Sequence, residues 1–394
     1  MALNLVADCV IKNKLYPAGA VWQAKPYTQD WRKFGEHWPH TVPFALHDHC
    51  VTHGIHSSLY SIDQTFPPDS YYAIGIEFFN FDIDYFKIIP DKILQCLKNR
   101  LIKILFYYDE GDNPYVIRDH LDRLCASHNL PLNCYRFVSA NTASKNIDKF
   151  FYFPCDELLY WHRNKDVNAL ATHDQPRSRD FTALVRLHKS WRATIMADLH
   201  HSDLLRNSYW SYCECPDKID LYLDNPIEID TIGMHMETVK FLTHGPYVSD
   251  ELDQAQRNDH AGIVGKYFVD SYCNIVLETH WDADQSGGAF LTEKTFKPIK
   301  HGQMFFIAGC AGSLQTLREL GYRVFDHVLD NSYDLETDNT QRWIQLRLAI
   351  KQAADNLPAL FEQARADIEH NQQLFLATKS SRLNSLLEQL NEPY

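Results

Sequence analysis

Two stretches of this sequence each alternate apolar runs of strand length with helical patterns, and that alternation restricts the chain to an open α/β architecture. In the first, a short helical pattern at Lys92–Leu97 precedes the run Leu101-Ile-Lys-Ile-Leu-Phe-Tyr-Tyr108. That run stops at Asp109-Glu-Gly-Asp-Asn-Pro114, a loop signal rich in turn residues. A helical pattern follows from Tyr115 to His128, with Val116, Leu121 and Leu124 near one face. Cys134–Val138 and Phe150–Phe153 read as further strands. Strand, helix and strand at this spacing form a parallel crossover unit. The pattern restarts with a strand at Phe181–Arg186 and a helix over 190–205, where Trp191, Ile195 and Leu199 recur every four residues. Strands at Asn274–Glu278 and Gln303–Ala308 follow, then a helix at Leu314–Leu320 closed by Gly321. Val324-Phe325 is expected to begin another short strand. The tail from Thr340 to Leu390 reads as two helices broken near Asn356-Leu-Pro358. In the first 75 residues, rich in His, Pro and aromatics, only Tyr72–Glu77 suggests a strand.

A chain of 394 residues exceeds one ordinary core. The polar stretch 163–180, with Pro176, suits a linker, giving an N-terminal domain over 1–170 and a second over 171–345. The remaining helices, 346–394, are expected to pack back on the first. The net charge of −13 argues against a broad nucleic-acid or anionic-membrane footprint, although it leaves room for a local basic pocket. The 10 cysteines are scattered through apolar runs, with no disulfide framework, and fit a reducing cytoplasm. The close pair Cys213 and Cys215 lacks a matching second pair for zinc. The N-terminus has no basic region ahead of an apolar core and is not expected to be a secretory signal. No window is apolar enough for a membrane span, so a soluble protein is expected.

The densest chemical signal is Ala289-Phe-Leu-Thr-Glu-Lys-Thr-Phe-Lys-Pro-Ile299. Thr292 suits a helix N-cap, with Leu291 and Phe296 as an apolar staple around it. Glu293 would lie in the first turn, where its carboxylate can accept from a ribose diol. Lys294 adds a charge to free backbone N–H groups, an arrangement suited to a diphosphate. Pro298 predicts a kink or a short first turn. The same residues also fit a capped surface helix with solvated charges.

The stretch from Val276 to Phe325 resembles the donor-binding domain of the α1,3-fucosyltransferase family and its viral and bacterial relatives. The residues that carry the resemblance are the strand Ile275–Glu278, the loop Thr279–Ala289, Thr292-Glu293-Lys294, Gly302, Met304–Ile307 and Gly309. Thr279 stands where that family usually has Asn, and Met-Phe-Phe where it tends to carry Val-Pro-Val. The resemblance implies a GT-B glycosyltransferase: two Rossmann-like domains facing a cleft, with Glu293 on the ribose and Lys294 on the diphosphate of a nucleotide-sugar. Glu278 and Thr292 belong to the same donor set. Such enzymes also carry an Arg-bearing helix start after a strand. Arg186, Lys189 and Arg192 fit it here and would converge on phosphate if the helix begins near Ser190.

Inverting transfer of a sugar needs a general base for the acceptor hydroxyl and cations for the departing diphosphate. In such folds the base lies at the carboxyl ends of strands in the N-terminal domain. Glu110 is the first candidate there, with Asp109 beside it and Glu77 second. The expected donor is a GDP- or UDP-sugar and the acceptor a glycan or other hydroxyl, with no obligatory metal. Asp282-Ala-Asp284 has the letters of a metal motif but lies in a loop. One alternative is a metal-dependent hydrolase using His47, His49, His53 and His56, although their spacing does not match the helical His-Glu-x-x-His zinc site. Another is a non-catalytic protein on a transferase scaffold. No P-loop or Gly-x-Gly-x-x-Gly occurs, so kinases and nicotinamide dehydrogenases have no support.

Overall fold

The computed structural model describes residues 2–7, 9–11, 14–16, 42–76, 79–87, 89–108, 110–164, 176–215, 217–224, 229, 233–248 and 265–392. The chain divides into two compact units, Met1–His162 with Thr378–Tyr394, and Arg163–Ala377. Each is built on its own parallel sheet.

In the first unit the strands are β1 (Ala2–Ala7), β4 (His56–Ser61), β5 (Ser70–Ile76), β6 (Ile102–Tyr108), β7 (Tyr135–Ser139) and β8 (Phe150–Tyr152). They lie in the order β4-β1-β5-β6-β7-β8, every pairing parallel. A small antiparallel pair, β2 (Cys9–Ile11) and β3 (Lys14–Tyr16), follows β1. Helices α1 (Val42–Thr52), α2 (Asp91–Lys98), α3 (Pro114–Ser127) and α4 (Cys155–Asn164) supply the crossovers and flanks. Every residue of β5 and β7 is buried, which is why their sequences lack polar alternation. Gly75 is required in β5, because a Cβ there would come within 2.3 Å of the Tyr107 hydroxyl on the next strand. Residues 378–394 join this unit through Tyr71 Oη, which donates to the Leu390 carbonyl at 2.6 Å, and Arg382 Nε, 3.0 Å from the buried Glu157 carboxylate.

The second unit has strands β9 (Arg179–Val185), β10 (Tyr209–Tyr212), β11 (Ser271–Leu277) and β12 (Met304–Ala308), in the order β10-β9-β11-β12, again all parallel. Its helices include α5 (Ser190–His201), α6 (Met234–His244), α7 (Glu293–His301), α8 (Ser313–Glu319), α9 (Asn339–Ala354) and the start of α10 (Leu357–Leu390). Trp191 to Leu199 of α5 are all buried, Asp198 included. Asp198 is held there by Trp343 Nε1 at 2.9 Å and Arg347 Nε at 3.0 Å.

Two expectations change. Val324-Phe325 is not a strand, because Phe325 takes a left-handed backbone (φ 65°) and the Val324 carbonyl accepts from Asn331 Nδ2 instead of a neighbouring strand. Helix α7 is longer than a short first turn and runs through Pro298 to His301, with Gly302 in the left-handed region as its cap.

Candidate functional site

The strand order of the second sheet reverses between β9 and β11: the chain leaves β9 for β10 on one side and returns to β11 on the other. Such a reversal parts the connections above the carboxyl ends and leaves the usual ligand crevice of open α/β sheets. Arg186–Lys189 follow β9 there, and Glu278–Thr279 follow β11. The two connections are tied together. Lys189 Nζ donates to the Thr279 carbonyl at 2.7 Å, and Arg192 donates to the Glu278 carbonyl through Nε at 3.0 Å and through a terminal nitrogen.

Glu278 is the hub. It is fully buried, and its carboxylate accepts from Thr292 N (3.0 Å), Thr292 Oγ1 (2.6 Å), Thr295 Oγ1 (2.5 Å) and its neighbour Thr279 N (3.2 Å). Thr292 in turn caps α7 by accepting from Lys294 N. Glu278 is thus a buried anchor whose oxygens already accept four donors. Arg192 is 3% exposed, and its guanidinium donates to the carbonyls of Glu278 and Leu187. Burial pushes it below the usual guanidinium range, against the carboxylates of Glu278 and Glu293.

Glu293 and Lys294 remain at the edge, their side chains 13% and 30% exposed. Lys294 Nζ lies 3.1 Å from Thr292 Oγ1 and 3.4 Å from the Glu293 carboxylate. Arg186 and Lys189 are half-buried.

Among the described residues, α5, α7 and α8 each start at the carboxyl edge of this sheet, and their N-termini differ. That of α7 is filled by Thr292 and Glu278. That of α8 is filled by the buried Asp334, which accepts from Leu314 N at 2.8 Å and Gln315 N at 2.9 Å. At α5 the N-cap is Lys189, whose own side chain makes no capping hydrogen bond. A helix start beside cations is an arrangement suited to an anion.

The edge is braced from below. Trp281 stacks on Trp191 (centroids 5.4 Å, 24°), and the Arg342 guanidinium lies 4.2 Å from the Trp281 ring. Arg342 also donates to the carbonyls of Gly309 and Glu336. Sequence reasoning did not find this bracket, since Arg342 is an ordinary helical residue until the fold brings it beneath the site.

In the first unit, Glu110 follows β6 at the carboxyl edge and is half-buried. Tyr108 Oη donates to Asp112 Oδ2 at 2.5 Å, and Asn141 Nδ2 holds the turn by donating to the Gly111 carbonyl at 2.8 Å. Burial first, then the carboxylates of Asp112 and Glu110, push the Tyr108 phenol far above its ordinary value. Glu110, Asp112 and Tyr108 thus share one electrostatic neighbourhood, and Asp112 is an acid that the sequence did not single out. Asp109 and Glu77 lie outside the described residues.

The ring nitrogens of the hydrolase alternative's histidines bond to different groups, although the His49 and His53 rings lie 4.2 Å apart. His47 Nδ1 pairs with Ser57 Oγ (2.8 Å), His49 Nε2 with Asn384 Oδ1 (2.7 Å) and His53 Nδ1 with the His49 carbonyl (2.9 Å). His56 begins β4 and is exposed. Among the described residues no three His, Cys, Asp or Glu side chains come together as metal ligands. The Asp282 carboxylate accepts from Asp284 N and caps the short helix Ala283–Ser286. No described helix is long and apolar enough to cross a membrane.

No protein-family model matches the chain, and no curated protein matches it. Among solved structures, it superposes on a DNA-modifying β-glucosyltransferase studied in the presence and absence of uridine diphosphoglucose. The TM-score there is 0.42 at 10% identity over all of both chains. A glycosyltransferase from Rickettsia africae ESF-5 gives a TM-score of 0.41 at 9% identity, over 99% of this chain and 100% of that one. Likeness at that level carries no inference about this chain.

Proposed function

We propose that the protein is a glycosyltransferase that binds a nucleoside diphosphate-sugar on its second unit and transfers the sugar to an acceptor hydroxyl. The observation that carries this reading is the start of α5 at the β9/β11 reversal. Lys189 and Arg186 lie there, with Glu293 and Lys294 at the adjacent helix start, in a protein of net charge −13. A local concentration of cations at a helix N-terminus suits a small polyanion rather than a nucleic-acid backbone. The resemblance of residues 276–325 to the fucosyltransferase donor domain supports the same assignment.

In this reading the diphosphate lies on the α5 start with Lys189 and Lys294 as counter-charges, and Glu293 accepts from the ribose diol. Arg192 and Glu278 hold the two connections in place without touching the donor. Lys189, Lys294 and the helix dipole stabilise the leaving diphosphate, so the chemistry needs no obligatory cation. Glu110 takes the acceptor proton, with inversion at the sugar carbon. The acceptor is a glycan or another hydroxyl compound.

The experiment follows nucleoside diphosphate release from a panel of UDP- and GDP-sugars, with mixed glycan acceptors, with and without EDTA. Acceptor-dependent release from one donor, retained in EDTA and lost in Lys294→Ala, supports the proposal. Release that EDTA abolishes contradicts the metal-independent mechanism. Absence of release from every donor contradicts the transferase reading.

A further inference from the structure

Two cysteines of the first unit meet inside its core. Cys125 lies in the last turn of α3 and Cys134 directly precedes β7, and their sulfurs are 3.7 Å apart. Both are free thiols, 0% and 3% exposed, in the core cluster that holds Leu121, Leu130 and Tyr135. The backbone around them is tied on both sides. Leu130 N–H donates to the Cys125 carbonyl at 2.9 Å, Cys134 N–H to the Pro131 carbonyl at 3.0 Å, and Ile104 N–H of β6 to the Cys134 carbonyl at 2.8 Å. Asn129 turns the chain between them in the left-handed region (φ 54°).

The sulfurs of a disulfide are about 2.05 Å apart, so each thiol has to move by only about 0.8 Å, within reach of side-chain rotation over a fixed backbone. The pair is also self-resolving. Whichever sulfur is oxidised first to a sulfenic acid, the other stands beside it and can displace the hydroxyl before a second oxidant arrives. The reaction is slow, because the attacking species is the thiolate. The hydrogen bond with Cys134 and then burial hold the Cys125 thiol far above its ordinary value. A small oxidant reaches these sulfurs through local opening of the connection 128–133, where Leu132 is exposed.

We propose that Cys125 and Cys134 form an oxidation site, at which hydrogen peroxide joins the two thiols as a disulfide that fastens the end of α3 to the start of β7. One thiolate attacks a peroxide oxygen and breaks the O–O bond, giving a sulfenic acid and, with the thiol's proton, one water. The second sulfur then attacks the sulfenic sulfur, and the departing hydroxyl takes its proton as a second water. Two thiols and one peroxide thus give one disulfide and two waters, with the sulfurs oxidised and the peroxide oxygens reduced. The closed loop restricts the unfolded chain, so the oxidised first unit is the more stable one. This site is independent of the nucleotide-sugar reading.

The test treats the full chain with hydrogen peroxide or with dithiothreitol, alkylates the remaining thiols under denaturing conditions and maps tryptic peptides by mass spectrometry. The peptide Leu124–Arg136 carries both cysteines and no other. After peroxide it should escape alkylation and be lighter by two hydrogens, and dithiothreitol should reverse both changes. Closing a loop of about ten residues should also raise Tm by about 5–10 °C over the dithiothreitol sample. Cys125→Ser and Cys134→Ser should lose that rise, and the cysteine left without its partner should go on to the sulfinic acid. Should the serine variants fold poorly, the peptide map and Tm of wild type decide the matter. Cys125 and Cys134 still alkylated after peroxide, sulfinic acid at either in wild type, or a closed peptide with no rise in Tm overturns the proposal.

Discussion

Replacing Glu278 by alanine should destabilise the second unit more than any change among the exposed charges of the site. The carboxylate is fully buried and accepts two backbone N–H and two hydroxyl hydrogen bonds, from Thr279, Thr292 and Thr295. Hydrogen bonds to a charged group contribute about 1.5–3 kcal/mol each. Simple addition over four overshoots, since hydroxyls rotate, water enters the space, and the burial penalty of the charge is relieved. What remains is the loss of the acid that anchors a capped helix and sits beside the buried Arg192, about 3–5 kcal/mol. For a unit of 150–250 residues, each kcal/mol lowers Tm by about 2–4 °C, so Glu278→Ala should lower it by about 6–20 °C. Glu278→Gln keeps the shape and one acceptor but turns an NH2 toward donors, and about half that loss is expected. Differential scanning calorimetry of the intact chain reads both. A fall below about 3 °C in Glu278→Ala would refute the view that this carboxylate organises the α7 start.

Three further outcomes are expected. Glu110→Gln should lower kcat by about 10²–10⁴, the range of a lost general base, while nucleotide affinity measured by calorimetry stays unchanged. His301 is pushed down by burial to about 4 from an ordinary 6.5, so its unfolded form takes up a proton first. Its contribution to stability is therefore present above pH 6.5 and lost as pH falls toward 4, and His301→Gln should flatten that part of the urea-midpoint profile. Arg342→Lys keeps the charge but loses the planar fork over Trp281 and its set of carbonyls, and should cost about 2–4 kcal/mol in urea unfolding.

The legible parts of the sequence were those whose physics is local. Expected strands at Leu101–Tyr108 and Gln303–Ala308 appear as Ile102–Tyr108 and Met304–Ala308, because parallel strands buried on both faces are apolar nearly throughout. Thr292 was legible as a cap since its partner is two residues away. Strand β4, His56-Ser-Ser-Leu-Tyr-Ser61, was not: it lies at the sheet edge, half exposed, and needs no apolar run. The candidate site was legible as a set of charged residues but not in its division of labour. Glu278 and Arg192 look like ligand groups until Thr292, Thr295 and the Glu278 carbonyl are seen to occupy them. The capping of α8 by Asp334 and the pairing of His188 with Tyr212 join residues about 20 apart, and neither has a local signature.

The central claim is that the α5 start is a nucleoside diphosphate site, and titration calorimetry tests it most directly. UDP and GDP are titrated in EDTA into wild type and into the double variant Lys189→Ala, Lys294→Ala. The account predicts one saturable site for one of the two nucleotides, weakened at least about tenfold in the variant by the loss of two counter-charges. Equal affinity in the two proteins, or no binding to wild type, would contradict it.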